Sequence, residues 1–160
     1  MKGIQRTIRR RRQEGKTDYK ARLAMLKSRK PRLVIRKTNR YIIAQIVTTE
    51  LAQDKVIINV NSKDLIESGW SKNLVGSLKG KVAAYLTGKL IASKAKTKVK
   101  EAIIDIGMQR NVSKSRLYAV VKGAIDGGLN IPCGESVLPT LEELKSNEKT
   151  ADLLNKVKIN

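Results

Sequence analysis

Residues 33–47 read Leu33-Val34-Ile35-Arg36-Lys37-Thr38-Asn39-Arg40-Tyr41-Ile42-Ile43-Ala44-Gln45-Ile46-Val47, and this stretch decides the fold. Two runs rich in β-branched residues flank a short polar break, the pattern of paired strands. Thr38-Asn39 supplies the tight connection, because Asn tolerates the left-handed backbone that such turns require. Val56-Ile57-Ile58-Asn59-Val60 repeats the β-branched pattern. The spacing therefore predicts an antiparallel meander of three strands.

Upstream, Thr17 or Asp18 is placed to cap a helix running to about Leu26, with Leu23 and Leu26 on one side and Pro31 as its stop. Residues 1–15 form a polar, basic arm that ends at Gly15 and is expected to order on binding. Downstream, Ser62 opens a short helical turn through Leu65-Ile66, closed by Gly69. Leu78, Val82, Leu86 and Leu90 recur every four residues and predict a helix over 77–96. Lys89 lies beside that stripe and must snorkel, and Gly88 inside the helix marks a close packing contact. Ala102-Ile103-Ile104-Asp105-Ile106 reads as a strand buried on both faces. Ser115 caps a second helix carrying Leu117, Val120, Val121 and Ala124, stopped by Gly127-Gly128. Leu129-Asn130-Ile131 is a candidate final strand, and polar helices follow from Thr140. Helix, strand, helix is α/β alternation. The expected architecture is α/β: a mixed sheet of the meander plus a buried parallel strand, with helices packed on it. A basic arm and helix (1–31), an α/β domain (32–136) and a helical extension (137–160) divide the chain.

Charge says what such a fold serves. The 160 residues hold 34 Lys+Arg against 14 Asp+Glu, a net +20 and a pI near 10.3. The excess is localised: net +14 over residues 1–40, +6 over 41–100 and zero over 101–160. Arg9-Arg10-Arg11-Arg12, Lys16, Lys20, Arg22, Lys27, Arg29, Lys30 and Arg32 repel one another unless a polyanion neutralises them. Histidine is absent and Cys133 is the single cysteine, which removes His-based triads, zinc ribbons and internal disulfides. Aromatics are only 3%, too few for a platform stacking many bases. No apolar run approaches the ~20 residues that cross a bilayer, and no secretory signal opens the chain, so a cytosolic protein is expected.

Four groups of residues invite a chemical reading. Gly76-Ser77-Leu78-Lys79-Gly80-Lys81-Val82 is one residue short of a nucleotide-binding loop, and Val82 stands where Ser or Thr must reach magnesium, which rejects it. Asp105 near a strand end, with Glu50 and Asp126 elsewhere, leaves a magnesium-dependent nuclease as the enzymatic alternative; the structural one is that Asp105 bonds a neighbouring loop. Cys133 has no His to activate it and reads as structural. Backbone recognition is the strongest. Arg36, Lys37, Asn39, Arg40 and Tyr41 cluster at the hairpin, offering bidentate, amide and stacking contacts. Ser113-Lys114-Ser115-Arg116 opens a helix, where free N–H groups favour a phosphate, or where Ser115 is simply a cap. Trp70 beside Lys72 and Asn73 is a candidate stacking site, or else a core anchor. Arg22 and Arg32 complete the candidate surface. No cofactor, metal, membrane or small-molecule substrate is expected.

Several ordered motifs also carry a family resemblance. Arg9–Arg12 with Gly15-Lys16-Thr17-Asp18-Tyr19, then residues 30–40, then Ala83-Ala84-Tyr85-Leu86-Thr87-Gly88, resemble the large-subunit ribosomal protein 18 family, whose eukaryotic relative is large-subunit protein 5. Ala102–Gly107 and Lys122–Pro132 continue the likeness, which spans about residues 9–136 and looks most like the archaeal branch. Relatives often carry His where Tyr41, Gln109 and Cys133 stand here, and residues 71–81 diverge. The resemblance implies a non-enzymatic, cytoplasmic ribosomal protein that binds 5S ribosomal RNA in the central protuberance. It implies as neighbours the large-subunit ribosomal RNA and the other 5S-binding protein. On the same ground Arg9–Arg12, Lys16, Tyr19, Arg36–Tyr41 and Gln45 would touch 5S RNA, with Arg110–Arg116 as a further contact. A non-specific nucleic-acid chaperone is the remaining alternative.

Overall fold

The computed structural model describes residues 7–50, 53–145 and 148–157, with Lys72, Glu148, Lys149 and Asn155 described in backbone only. The arm reading is thus represented from residue 7 onward; residues 1–6 lie outside the described residues.

The predicted meander is present and longer than the apolar runs alone suggest. Strands β1 (Arg32–Lys37), β2 (Ile42–Glu50) and β3 (Gln53–Asn61) pair antiparallel, and β4 (Ile103–Asp105) pairs parallel to β1. The order β3-β2-β1-β4 makes a mixed four-stranded sheet. Alternation sorts its faces. Leu33, Ile35, Ile42, Ala44, Ile46 and Val60 point into the core, while Arg32, Arg36, Gln45 and Asn59 stand on the opposite face. The hairpin differs from expectation in one respect. Asn39 is not left-handed; among the described residues other than glycine, only Arg29 and Lys114 have positive φ. A four-residue loop closes instead through Thr38, whose N–H and hydroxyl both donate to the Tyr41 carbonyl (2.9 and 2.8 Å).

The strand at 103–105 is shorter and less enclosed than its apolar run implies. It lies at the sheet edge, where Ile103 and Ile104 are half-buried and Asp105 is fully buried. Leu129-Asn130-Ile131 contributes only a bridge from Asn130 to Glu101.

Helix α1 (Arg10–Gln13) is one turn within the arm, and α2 (Tyr19–Lys27) starts at Asp18, whose carboxylate accepts from Lys20 N and Ala21 N. It ends before Pro31, with Arg29 left-handed at φ 55°. The turn after β3 (Ser62–Ile66) is capped by Asn61 and Asp64 reciprocally, not by Ser62. Ser62 accepts from Ile42 N instead. The helix predicted over 77–96 is α3 (Lys81–Ala95), preceded by a 3-10 segment at Lys72–Ser77. Eleven of its fifteen residues are buried, as a helix covered on most sides must be. Lys89 does snorkel, its ammonium 5.0 Å from the centre of the Tyr85 ring.

Helix α4 (Arg116–Asp126) packs on α3 through the glycine that the sequence singled out. A Cβ on Gly88 would collide with the Val120 carbonyl oxygen, and one on Gly123 with that of Tyr85; Gly127 lies against Ala92. Tyr85 opposes Gly123 and, further along both helices, Ala92 opposes Gly127, while the first residues Lys81 and Arg116 line one cavity, so the helices run in the same direction with backbones in contact. Their N-termini therefore share one end of the molecule, beside the carboxyl ends of β1 and β4. In α/β sheets that is the end where ligand sites form. The C-terminal helices α5 (Leu141–Lys145), α6 (Glu148–Ala151) and α7 (Leu153–Lys156) add Leu144, Leu153 and, just beyond, Val157 to the same core.

Candidate nucleic-acid interface

The arginines on β1 divide into spent and available groups. Arg32 is 2% exposed; its guanidinium donates to Asp105 (2.7 Å), Asp54 (2.8 Å) and Thr49 (3.2 Å). It is turned inward here, in contrast to its expected place on the contact surface. Arg22 is likewise paired with Asp54 at 2.8 Å, which ties α2 to the start of β3. Burial pushes the Asp54 carboxyl up, but hydrogen bonds from Thr49, Arg22 and Arg32 outweigh it and hold the pKa at about 2. Arg36 donates to Asp105 Oδ1 (2.9 Å) and to the Asp105 and Ile35 carbonyls (both 2.8 Å), yet its side chain is 41% exposed. It keeps an outward edge.

Asp105 is the hub of this network. Its carboxylate accepts from Arg32, Arg36 and Gly107 N. The carboxylate is enclosed, 4% exposed between two guanidiniums that neutralise it, and its bonds tie β1 to the loop after β4. Among the described residues no cluster of three or more His, Cys, Asp or Glu is placed to hold an ion. The loop-bonding reading of Asp105 holds.

Trp70 is a core anchor. It is 2% exposed and its indole N–H donates to the Leu74 carbonyl at 3.1 Å, so it presents no face to a base. The neighbouring Lys72 side chain lies outside the described residues.

The remaining cations face outward. Arg10, Arg11 and Arg12 are exposed on α1, Arg9 sits 4.6 Å over the Tyr19 ring, and Lys16 meets Glu14 at 2.8 Å. Lys37, Asn39 and Arg40 are exposed at the hairpin, with Tyr41 half-buried behind them. Gln45 lies on the outer sheet face, donating to Asn59 at 3.1 Å. Asn39, Arg40, Tyr41, Val75, Gly76 and Lys79 line one cleft of about 270 Å3. A second cavity of about 880 Å3 opens where α3 and α4 begin, lined by Lys37, Lys81, Arg110, Lys114, Arg116 and Glu143 among others. Gln109 fastens its rim to β1, accepting from Lys37 N (3.0 Å) and donating to the Ile35 carbonyl (2.8 Å). Ser115 occupies the N-cap position of α4 but makes no capping bond; its hydroxyl oxygen is sealed from solvent and without a partner among the described residues. Ser113 is exposed on the same rim. Cys133 is half-buried, and burial raises its thiol pKa, which disfavours the reactive thiolate.

Lys79, Lys81 and Glu143 were not legible as site residues. Lys79 and Lys81 stood inside a rejected motif, and nothing local marks an acid near the C-terminus as facing residue 114.

Comparison with known proteins supplies a family. The sequence family described as "Ribosomal large subunit proteins 60S L5, and 50S L18" matches residues 4–102 and 94–134. The "Large ribosomal subunit protein uL18" of Methanoregula boonei is 44% identical over 155 residues, covering 92% of this chain and 87% of that protein. Its namesake in Korarchaeum cryptofilum is 49% identical over 140 residues, or 85% and 68% of the two chains. That of Methanothermobacter thermautotrophicus is 45% identical over 131 residues, or 81% and 66%. The chain belongs to the large-subunit ribosomal protein family of 60S L5 and 50S L18, among its archaeal uL18 members.

Proposed function

We propose that this protein is a structural constituent of the large ribosomal subunit that binds 5S ribosomal RNA and helps attach it in the central protuberance. The observation that carries the reading is the division of its cations. Those deep in the sheet are neutralised internally, while Lys37, Arg40, Lys79, Lys81, Arg110 and Arg116 face outward at one end of the molecule. A surface of that kind neutralises phosphates and fixes register on a folded RNA. Arg9–Arg12, Lys16 and Tyr19 extend it along the arm, and Arg36, Asn39, Tyr41, Gln45 and Ser113–Arg116 complete it. Large-subunit RNA and the other 5S-binding protein are the neighbours this role requires.

Competition tests the reading. Labelled 5S RNA bound to the protein should resist displacement by an equal mass of unrelated duplex RNA. Equal displacement would turn the reading into that of a general chaperone. Incubation of labelled RNA with protein and magnesium should leave the RNA intact; cleavage would revive the nuclease reading.

A further inference from the structure

The cavity at the shared N-terminal end of α3 and α4 is built from five cations in four parts of the chain. Lys37 ends β1, Lys81 opens α3, Arg110 and Lys114 lie in the loop after β4, and Arg116 opens α4. One acid, Glu143 of α5, faces them. Lys37, Arg110 and Arg116 have no carboxylate within ion-pair distance among the described residues. Among the described residues the N-cap positions of α3 and α4, Gly80 and Ser115, make no side-chain capping bond, so two positive helix ends add to the same field. An anion already responds to that field. Glu143 reaches across from the C-terminal segment to Lys114 at 2.6 Å. Its carboxyl lies below its ordinary pKa, chiefly through the Lys114 hydrogen bond, against some desolvation and with help from Thr140 and the charge of Lys81.

We propose that this cavity is a pocket for backbone phosphate of the bound RNA, and that Glu143 is the internal anion the phosphate competes with for Lys114. The inference rests on the RNA-binding reading and deepens it by joining Lys81 and the acid Glu143 in one pocket with opposite roles. A volume of about 880 Å3 is wide enough for a turn of backbone to enter, where a flat patch would touch only its outer oxygens. Glu143 also holds its own helix start, accepting from Thr140 N at 3.2 Å while Thr140 Oγ1 accepts from Glu143 N at 3.3 Å. Glutamine can keep the oxygen that accepts from Thr140 N while removing the charge and the oxygen that faces Lys114.

The opposed signs make the test robust to misfolding. Binding of 5S RNA to the full chain is measured for the unaltered protein, Glu143→Gln, Lys81→Gln, Arg110→Gln and, as a control outside the cavity, Lys156→Gln. Glu143→Gln should tighten binding about fivefold, the effect of removing one charge some 4 Å from a phosphate in water. Lys81→Gln and Arg110→Gln should each weaken it by a similar factor and lower the salt slope by about one. Lys156→Gln should change neither. If the unaltered protein binds but Glu143→Gln fails to tighten it and Lys81→Gln matches Lys156→Gln, the pocket is refuted while the RNA reading stands. If the unaltered protein shows no salt-dependent binding, the RNA reading itself falls.

Discussion

Two sets of basic residues, at opposite ends of one six-residue strand and roughly 17 Å apart, have opposite fates. At the start of β1, Arg32 is enclosed by Asp54, Asp105 and Thr49, and Arg22 joins it through Asp54. At the other end, Lys37 and the hairpin beyond it face outward beside Arg110, Lys114 and Arg116. Composition treats all of these as equal contributions to +20. The fold does not. One set holds the outer face of the sheet together, and the other stays at the surface.

The largest perturbation should come from the enclosed set. Asp105→Asn strands the buried Arg32 guanidinium with one carboxylate fewer, and such a loss costs about 3–5 kcal/mol. Denaturant unfolding reads it directly; a loss below ~1 kcal/mol would mean that the network is not structural.

Next comes the contact that brings the open set together. Gly123→Ala drives a methyl into the Tyr85 carbonyl oxygen, where backbone must move. Overpacking of this kind costs about 1–3 kcal/mol. RNA affinity should fall with it, because α3 and α4 would no longer present Lys81 and Arg116 to one cavity. Unchanged affinity in a folded Gly123→Ala protein would detach the cavity from the helix crossing.

A smaller effect distinguishes the sets by pH. The Asp54 carboxyl is lowered from 3.8 to about 2 in the folded chain, so it contributes stability above pH ~4 that is lost as pH falls toward 2. Discounted for its partial exposure, that contribution is about 1 kcal/mol. Asp54→Asn should remove it at neutral pH and flatten the stability profile between pH 4 and 2. An unchanged acid limb would show the Arg22 and Arg32 bonds to be worth nothing in solution.

Arg40→Ala should have the smallest effect on the fold. The side chain is exposed and its removal should leave the unfolding midpoint unchanged while weakening 5S RNA binding about fivefold. A shifted midpoint with unaltered affinity would reverse the assignment of the two sets.

Much of this division lies beyond what a linear sequence carries. The meander was legible because β-branched runs and their spacing are local signals. The close contact at Gly88 was legible because glycine within an apolar stripe has few other uses. The burial of Arg32 was not, since its partners stand 22 and 73 positions away and only the sheet brings them together. Trp70 looked equally suited to a base or a core, and only the Leu74 carbonyl decides between them. Glu143 is the extreme case, 29 residues from Lys114 in a stretch with no motif.

The most direct test of the open set is the salt dependence of 5S RNA affinity between 50 and 200 mM. Six to ten phosphate contacts predict a loss of roughly three to five orders of magnitude over that range. A flat response would mean that the outward cations do not meet phosphate, and would contradict the account.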